Sequence, residues 1–118
     1  MNLEKLYQEM GGDMADAVRR LGSASAVERF LRMFAGDDTF AMLEAAMSAG
    51  DVQRAFRAAH TLKGLAANLG LVQLGQAASA LTEALRGSDI QRASALYPET
   101  AAAYREACAA IGDLDTDA

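Results

Sequence analysis

The sequence has little of several residue types that mark special chemistry. In 118 residues it holds one histidine, one cysteine, one proline and no tryptophan. A lone cysteine, Cys108, leaves no internal disulfide to form. No apolar run approaches the ~20 residues of a membrane span, and the N-terminus lacks the layout of a signal peptide. We therefore expect a cytoplasmic protein with no membrane contact.

A basic surface and the usual ligand sets are also missing. The formal net charge is −5, and no basic stripe of the kind that binds nucleic acid runs along the chain. No Gly-x-x-x-x-Gly-Lys cradle for a nucleotide is present. No carboxylate cluster offers a site for Mg²⁺, and the one histidine leaves Glu83, Glu99 and Glu106 without a second imidazole for a bundle metal site. We expect no metal and no cofactor of its own.

What is present favours helices. The chain is 52% hydrophobic and rich in alanine, and no stretch alternates polar and apolar residues as a half-buried strand does. Its length fits one domain that buries roughly 65% of its unfolded surface. The fold class predicted is all-α, with residues 1–118 as a single domain.

Glycine-containing breaks divide the first third into three short helices. Apolar residues recur at helical spacing over 2–10, and Gly11-Gly12 ends that helix. Asp13 can cap the second helix, and Ser23 or Ser25 the third. Gly36 follows the third, with Asp37 and Asp38 at the start of the next. These helices are additional to the core.

The core is predicted as an antiparallel four-helix bundle over about 38–49, 51–69, 71–86 and 95–111. The two middle segments form its central hairpin, joined by a very short link. Pro98 decides the start of the last helix: with Ser94 as the cap, proline falls in the first turn, where no backbone donor is lost. Residues 89–93 then form a separate short piece. The acidic tail 113–118 is expected to fray.

The histidine lies on the polar side of the second core helix. At about 100° per residue, one sector of 51–69 is apolar and the other carries His60, with Lys63 and Gly64 one turn on and Phe56 one turn back. An exposed glycine costs a helix about 1 kcal/mol relative to alanine, and an exposed aromatic is typical of a docking surface. An isolated surface histidine usually has no role; these neighbours favour one here.

The chemistry that such a face fits is phosphoryl acceptance. An exposed imidazole is mostly neutral at pH 7 and therefore nucleophilic. A phosphoryl group on its ring would be negatively charged, and Lys63 can offset that charge. Arg57 and Arg86 add weaker positive potential, or are plain helix surface.

A family resemblance adds to this argument. Residues 59–64 read Ala-His-Thr-Leu-Lys-Gly and residues 66–70 read Ala-Ala-Asn-Leu-Gly, which resembles the signature of histidine-containing phosphotransfer (HPt) domains of the small stand-alone type. The preceding Gly-Gly-Asp, Arg-Leu-Gly and Arg-Phe-Leu-Arg-Met-Phe look like the helices before that motif, and Ala-Leu-Thr-Glu-Ala-Leu-Arg at 80–86 also fits. The His-x-x-Lys-Gly spacing alone is a weak signal, but with these flanks it is strong.

The resemblance implies roles residue by residue. His60 matches the phosphoacceptor, through Nε2; Lys63 matches the residue that assists the phosphoryl group; Gly64 matches the small residue that admits the partner. Family members often place a polar side chain of the next helix against the other ring nitrogen, and that position falls on Thr82. A hydroxyl there can hold the tautomer but adds no charge. Partner-binding candidates are Phe56, Arg57, Ala67 and Arg86, with Phe56 either contacting a partner or packing under the N-terminal helices.

The predicted function is therefore phosphotransfer in a bacterial-type two-component phosphorelay. The protein would be a carrier and not an enzyme. It would accept a phosphoryl group from a receiver domain, or from a histidine kinase such as a hybrid kinase, and pass it to another receiver. Mg²⁺ is expected from the partner receiver, and the protein is expected to be a monomer. Two alternatives remain: a helical module that binds receivers without transfer, and the phosphoacceptor region of a larger kinase.

Overall fold

Helix ends in the structure follow the breaks in the sequence. The computed structural model describes residues 1–114, and over that range it has seven helices and no strand. The helices are α1 Leu3–Met10, α2 Met14–Leu21, α3 Ala24–Ala35, α4 Thr39–Ala49, α5 Val52–Asn68, α6 Val72–Arg86 and α7 Ile90–Gly112. The predicted all-α class is confirmed, and the bounds of α4, α5 and α6 lie within one residue of those predicted.

Side-chain caps satisfy the free N–H groups at the start of most of these helices. The Asp13 carboxylate accepts from the Asp16 backbone N–H at 2.9 Å, and Asp51 caps α5 through the N–H of Arg54 at 3.1 Å. Of the two serines considered for α3, Ser23 is the cap, and its hydroxyl accepts from Ala26 at 3.1 Å. The caps therefore mark where these helices begin, whereas α4 and α6 begin without a side-chain cap.

The core is one cluster to which all seven helices contribute buried residues, and the most extensive helix pairings are among α4, α5, α6 and α7. Helix α5 packs between α4 and α6, and α6 also packs on α7. One fully buried leucine from each of three helices, Leu43, Leu62 and Leu81, has no exposed surface. On α4, the Phe40 ring stacks against Tyr104 of α7 with 4.2 Å between centroids, which ties the first and last core helices together. None of the helices over residues 1–114 is long and apolar enough to cross a membrane.

The prediction for the last helix is wrong at its start. Helix α7 is continuous from Ile90 to Gly112 with Pro98 inside it, and Asp89, not Ser94, is its cap, accepting from the Arg92 N–H at 3.0 Å. An interior proline removes one backbone hydrogen bond. Ser94, whose carbonyl loses that bond, and Pro98 both lie on the exposed side, where water can replace the donor. Buried residues on both sides of the proline, Ala93 and Ala101 among them, hold the helix together.

The tail prediction is wrong for the two residues that the structure describes. Leu114 is buried, with 5% of its surface exposed. The Asp113 carbonyl accepts a hydrogen bond from the N-terminal ammonium of Met1 at 2.9 Å. Residues 115–118, the rest of the predicted tail, lie outside the described residues.

Two hydrogen bonds link the N-terminal helices to the turn between α5 and α6. The buried Tyr7 hydroxyl donates to the Leu69 carbonyl at 2.6 Å, and the Asp13 N–H donates to the Gly70 carbonyl at 2.9 Å. Gly70 has a positive φ of 64°, and a Cβ there would lie 2.3 Å from the backbone carbonyl oxygen of Asp13. Only glycine allows this close approach of the two backbone segments. The end of the histidine helix is thereby held in place.

Replacing Tyr7 by phenylalanine tests the contribution of its hydrogen bond to the Leu69 carbonyl. We expect the free energy of unfolding to fall by about 1–2 kcal/mol at pH 8, the typical cost of a lost hydrogen bond that leaves a buried carbonyl unpaired. Burial raises the pKa of Tyr7 to about 12. The folded protein therefore keeps this proton more tightly than the unfolded chain, and the associated stability is complete below pH 10 and lost as the pH rises toward 12. Urea unfolding at pH 8 and pH 11 should show a smaller alkaline loss for Tyr7→Phe than for the native chain. An equal loss in both would contradict the assignment.

Candidate functional site

His60 lies on the solvent side of α5, as predicted. The opposite side of this helix is buried and includes Ala55, Ala59, Leu62 and Ala66. The imidazole is exposed and forms no hydrogen bond within the described residues. The ring nitrogens are therefore accessible to another molecule, on a helix whose backbone is fixed by its buried face.

An aromatic and a cation adjoin the imidazole. The Phe56 ring, one turn back on α5, is stacked on the His60 ring with 6.0 Å between centroids and 12° between planes. The guanidinium carbon of Arg86, on α6, lies over the Phe56 ring at 4.9 Å from its centroid. Arg86 in turn donates through Nε to Glu83 at 3.0 Å. Phe56 is partly buried in a cleft beside α6, so it is less open to solvent than the sequence pattern indicated.

Lys63 and Gly64 complete the same side of the helix. The Lys63 side chain is partly buried and has no ion-pair partner among residues 1–114. Its charge is thus not already neutralised by a carboxylate. Gly64 is exposed, and a Cβ built on it would meet nothing within 4 Å. The surface one turn after the histidine is open space, and no internal packing requires a glycine there.

The structure does not bring Thr82 to the imidazole. Its side chain is fully buried, and its hydroxyl donates to the Ala78 carbonyl of its own helix at 2.6 Å. Thr82 lies one turn from both Ala78 and Leu85, which are buried, so it belongs to the core side of α6. A threonine can satisfy its hydroxyl with the carbonyl four residues back, and a second polar neighbour is not needed. The prediction that Thr82 faces the ring is wrong.

Thr82→Val should therefore leave the reactivity of His60 unchanged. Valine has nearly the same shape, and removing a hydroxyl that bonds only to its own helix leaves that carbonyl with its helical hydrogen bond. We expect the rate of His60 modification by a small phosphoryl donor to stay within about twofold, since no interaction with the ring is removed. A clear loss of rate in a variant with an unchanged melting temperature would restore the ring-orienting role.

Of the other two partner-binding candidates, Arg57 also lines the cleft that holds Phe56 and Arg86, and Ala67 lies beside Lys63. Arg57 is exposed and also lines, with Met42 and Ala46, a groove between α4 and α5. Ala67 is exposed and shares a shallow depression with Lys63 and with Ser79 of α6. The site therefore has a groove on one flank of His60 and a depression on the other.

Glu83 is the site residue that the sequence reasoning missed. From the sequence alone, Glu83 is only a metal ligand that lacks a second imidazole. Its position three residues before Arg86, a spacing at which opposite charges meet on a helix, was the available signal. Over residues 1–114 no group of three or more histidine, cysteine or acidic side chains is placed to hold a metal ion.

Comparisons with known proteins show to which family the chain belongs. The family model described as Hpt domain matches residues 2–113 of the 118-residue chain. The search of curated proteins and the search of solved structures each gave no match. The matched range includes α5, which carries the exposed histidine, and α6, which carries its neighbours Glu83 and Arg86. The chain belongs to the Hpt domain family, whose members are phosphocarrier modules of two-component phosphorelays that interact with receiver domains and histidine kinases.

Proposed function

We propose that this protein accepts a phosphoryl group on Nε2 of His60 from the phosphoaspartate of a receiver domain, or from a histidine kinase, and transfers it to another receiver. The observation that carries the proposal is the exposed imidazole, free of hydrogen bonds in the described structure, between an unpaired lysine and an open glycine surface. A core histidine with a structural role would be buried and hydrogen-bonded. This one is neither.

The transfer step uses the lone pair of the neutral imidazole. Nε2 attacks phosphorus, a P–N bond forms, and the P–O bond to the aspartyl carboxyl group breaks as the carboxylate leaves with the electron pair. The N-phosphorylated ring carries a positive charge until the proton on Nδ1 passes to water. Onward transfer reverses these bond changes on a second receiver's aspartate.

Lys63 supports the step electrostatically. The transferring group spreads negative charge over its oxygens in the transition state, and the ammonium of Lys63, a residue one helical turn after His60 on α5, attracts that charge. The metal ion and most of the stabilisation would come from the receiver, since the described residues of this chain offer no ligand set for a divalent cation. This chain supplies the nucleophile, a nearby cation and a surface on which the receiver can dock.

Incubation with receivers charged by radiolabelled acetyl phosphate tests the proposal. We expect label to move from receiver to this chain as a phosphate that is stable in base and labile in acid, and to move on to an uncharged receiver added later. The alternative, a module that binds receivers without transfer, predicts a complex without label on this chain. Binding should be followed in the same samples, so that absence of label is not confused with absence of contact.

Lys63→Ala should slow the transfer without disturbing the fold. An exposed or partly exposed charge–charge interaction contributes up to about 1 kcal/mol, which corresponds to a rate about fivefold lower at saturating receiver. Lys5→Ala is the matched control, because Lys5 is the other lysine of the chain and lies exposed on α1. Equal rates for the two variants in a single-turnover assay would remove the assisting role.

A further inference from the structure

We infer that Phe56 is a positioning residue, which holds the His60 imidazole in one orientation by stacking on it and is itself held by Arg86 from the neighbouring helix. This inference rests on the proposed function and concerns how the ring is presented for attack. It assigns to Phe56 a role within the protein that differs from both predicted ones, contact with a partner and packing under the N-terminal helices.

The first observation is that hydrogen bonds do not orient the ring. His60 has no hydrogen-bond partner in the described structure, and the hydroxyl predicted to hold it is turned into the core, where it donates to Ala78. An exposed side chain without such a restraint samples several rotamers about its two side-chain torsions. Attack on phosphorus needs the nitrogen aligned with the bond that breaks, so free rotation would lower the fraction of productive collisions.

The second observation is the geometry of the stack. The two rings are nearly parallel, at 12°, with centroids 6.0 Å apart, within the range of offset aromatic pairs. Residues four apart on a helix lie on the same face, so the backbone of α5 places Phe56 one turn before His60, with the two rings offset. Neither ring nitrogen forms a hydrogen bond within the described residues.

The third observation is that Phe56 is restrained from outside its own helix. It is partly buried against the core, and the guanidinium of Arg86 lies 4.9 Å from its ring centroid. Arg86 is kept at this position by Glu83, whose carboxylate accepts from its Nε at 3.0 Å. The series Glu83, Arg86, Phe56 and His60 therefore connects α6 to the acceptor ring through side-chain contacts alone.

Phe56→Leu removes the aromatic face while keeping an apolar side chain of similar reach. Phe30→Leu is the matched control: Phe30 is also a phenylalanine with an arginine over its ring, Arg29 at 5.5 Å, but it lies on α3. Phe56→Tyr keeps the aromatic face and serves as the conservative variant. Each protein is reacted with phosphoramidate, a small donor whose P–N bond breaks with release of ammonia, so that docking of a receiver plays no part.

We expect phosphorylation of Phe56→Leu to be about fivefold slower than that of the native chain, the size of effect that the loss of one aromatic pair produces. Phe56→Tyr and Phe30→Leu should stay within about twofold of the native rate. NMR of the unphosphorylated proteins gives a readout that a merely structural role would not move. The imidazole proton resonances of His60 should lose their ring-current shift in Phe56→Leu only, with an unchanged backbone spectrum elsewhere.

Unchanged imidazole resonances in Phe56→Leu, or changed resonances with an unchanged phosphoramidate rate, would overturn the inference. A backbone spectrum altered throughout the bundle would overturn it too, since Phe56 would then act on the fold and not on the ring. Failure of the proposed function gives a different result: the native chain would take no label from receivers, while the NMR comparison would still decide whether Phe56 orients the ring.

Discussion

His60→Gln should abolish phosphoryl transfer to this chain and leave the chain folded. The imidazole is the only histidine side chain in the sequence, so no other nitrogen of this kind can form the acid-labile adduct. Because the residue is exposed and makes no hydrogen bond in the described structure, its replacement removes only the stack on Phe56 and should lower the free energy of unfolding by no more than about 1 kcal/mol. Glutamine keeps a polar side chain of similar length on the same helix face.

The measurement is acid-labile label per mole of protein after incubation with charged receivers, for the native chain and the variant side by side. We expect the variant to give background label while still binding receivers. Label on His60→Gln at the native level would show that another residue is the acceptor and that the proposed function is wrong.

Gly64→Leu should slow transfer from a receiver by at least about tenfold, because displacing reacting groups by about 1 Å can cost a hundredfold in rate. A Cβ at position 64 meets nothing within this chain, so the added side chain projects into the space next to the imidazole. Any steric conflict must then be with the partner. Leucine is also the better helix former by about 0.8 kcal/mol, so the variant should be at least as stable as the native chain.

Comparison of two donors separates the effect on docking from any effect on the ring. With phosphoramidate, Gly64→Leu should react within about twofold of the native rate, since a small donor needs little room. Gly112→Leu is the control, because Gly112 is another exposed glycine with open space around its Cβ position, at the far end of α7. If Gly64→Leu retained the full rate from receivers, close approach at this position would not be required.

The fold could be predicted from the sequence wherever the local sequence pattern and the packing of the core favour the same helix. At Asp13, Ser23 and Asp51 a capping side chain directly precedes an apolar repeat, and the helix begins there in the structure. At Pro98 the two differ: the proline favours a helix that starts after Ser94, whereas the packing of the core favours one continuous helix from Ile90. The cost of an interior proline is a local property that a sequence pattern shows, whereas the burial of Ala93 and Ala101 on either side of it depends on the packing of α7 against its neighbours.

The candidate site shows the same division. His60 and Gly64 are exposed as predicted, because the angular position of a residue on one amphipathic helix follows from its own pattern. Thr82 lies next to the boundary between the core and the surface of α6, and a rotation of a few tens of degrees decides which side it joins. The relation between Phe56 and Arg86 joins two helices and depends on their register, which periodicity in one helix does not contain.

Direct observation of the phosphorylated nitrogen tests the central claim most directly. The chain, uniformly labelled with ¹⁵N, is incubated with an acetyl-phosphate-charged receiver, and its ³¹P spectrum is recorded. We expect one phosphorus resonance coupled to one imidazole nitrogen, Nε2 of His60, that disappears in acid. A phosphorus resonance of the phosphorylated chain that shows no nitrogen coupling would contradict the assignment of His60 as the acceptor. So would the absence of any phosphorus resonance from this chain while the receiver loses its phosphoryl group to water.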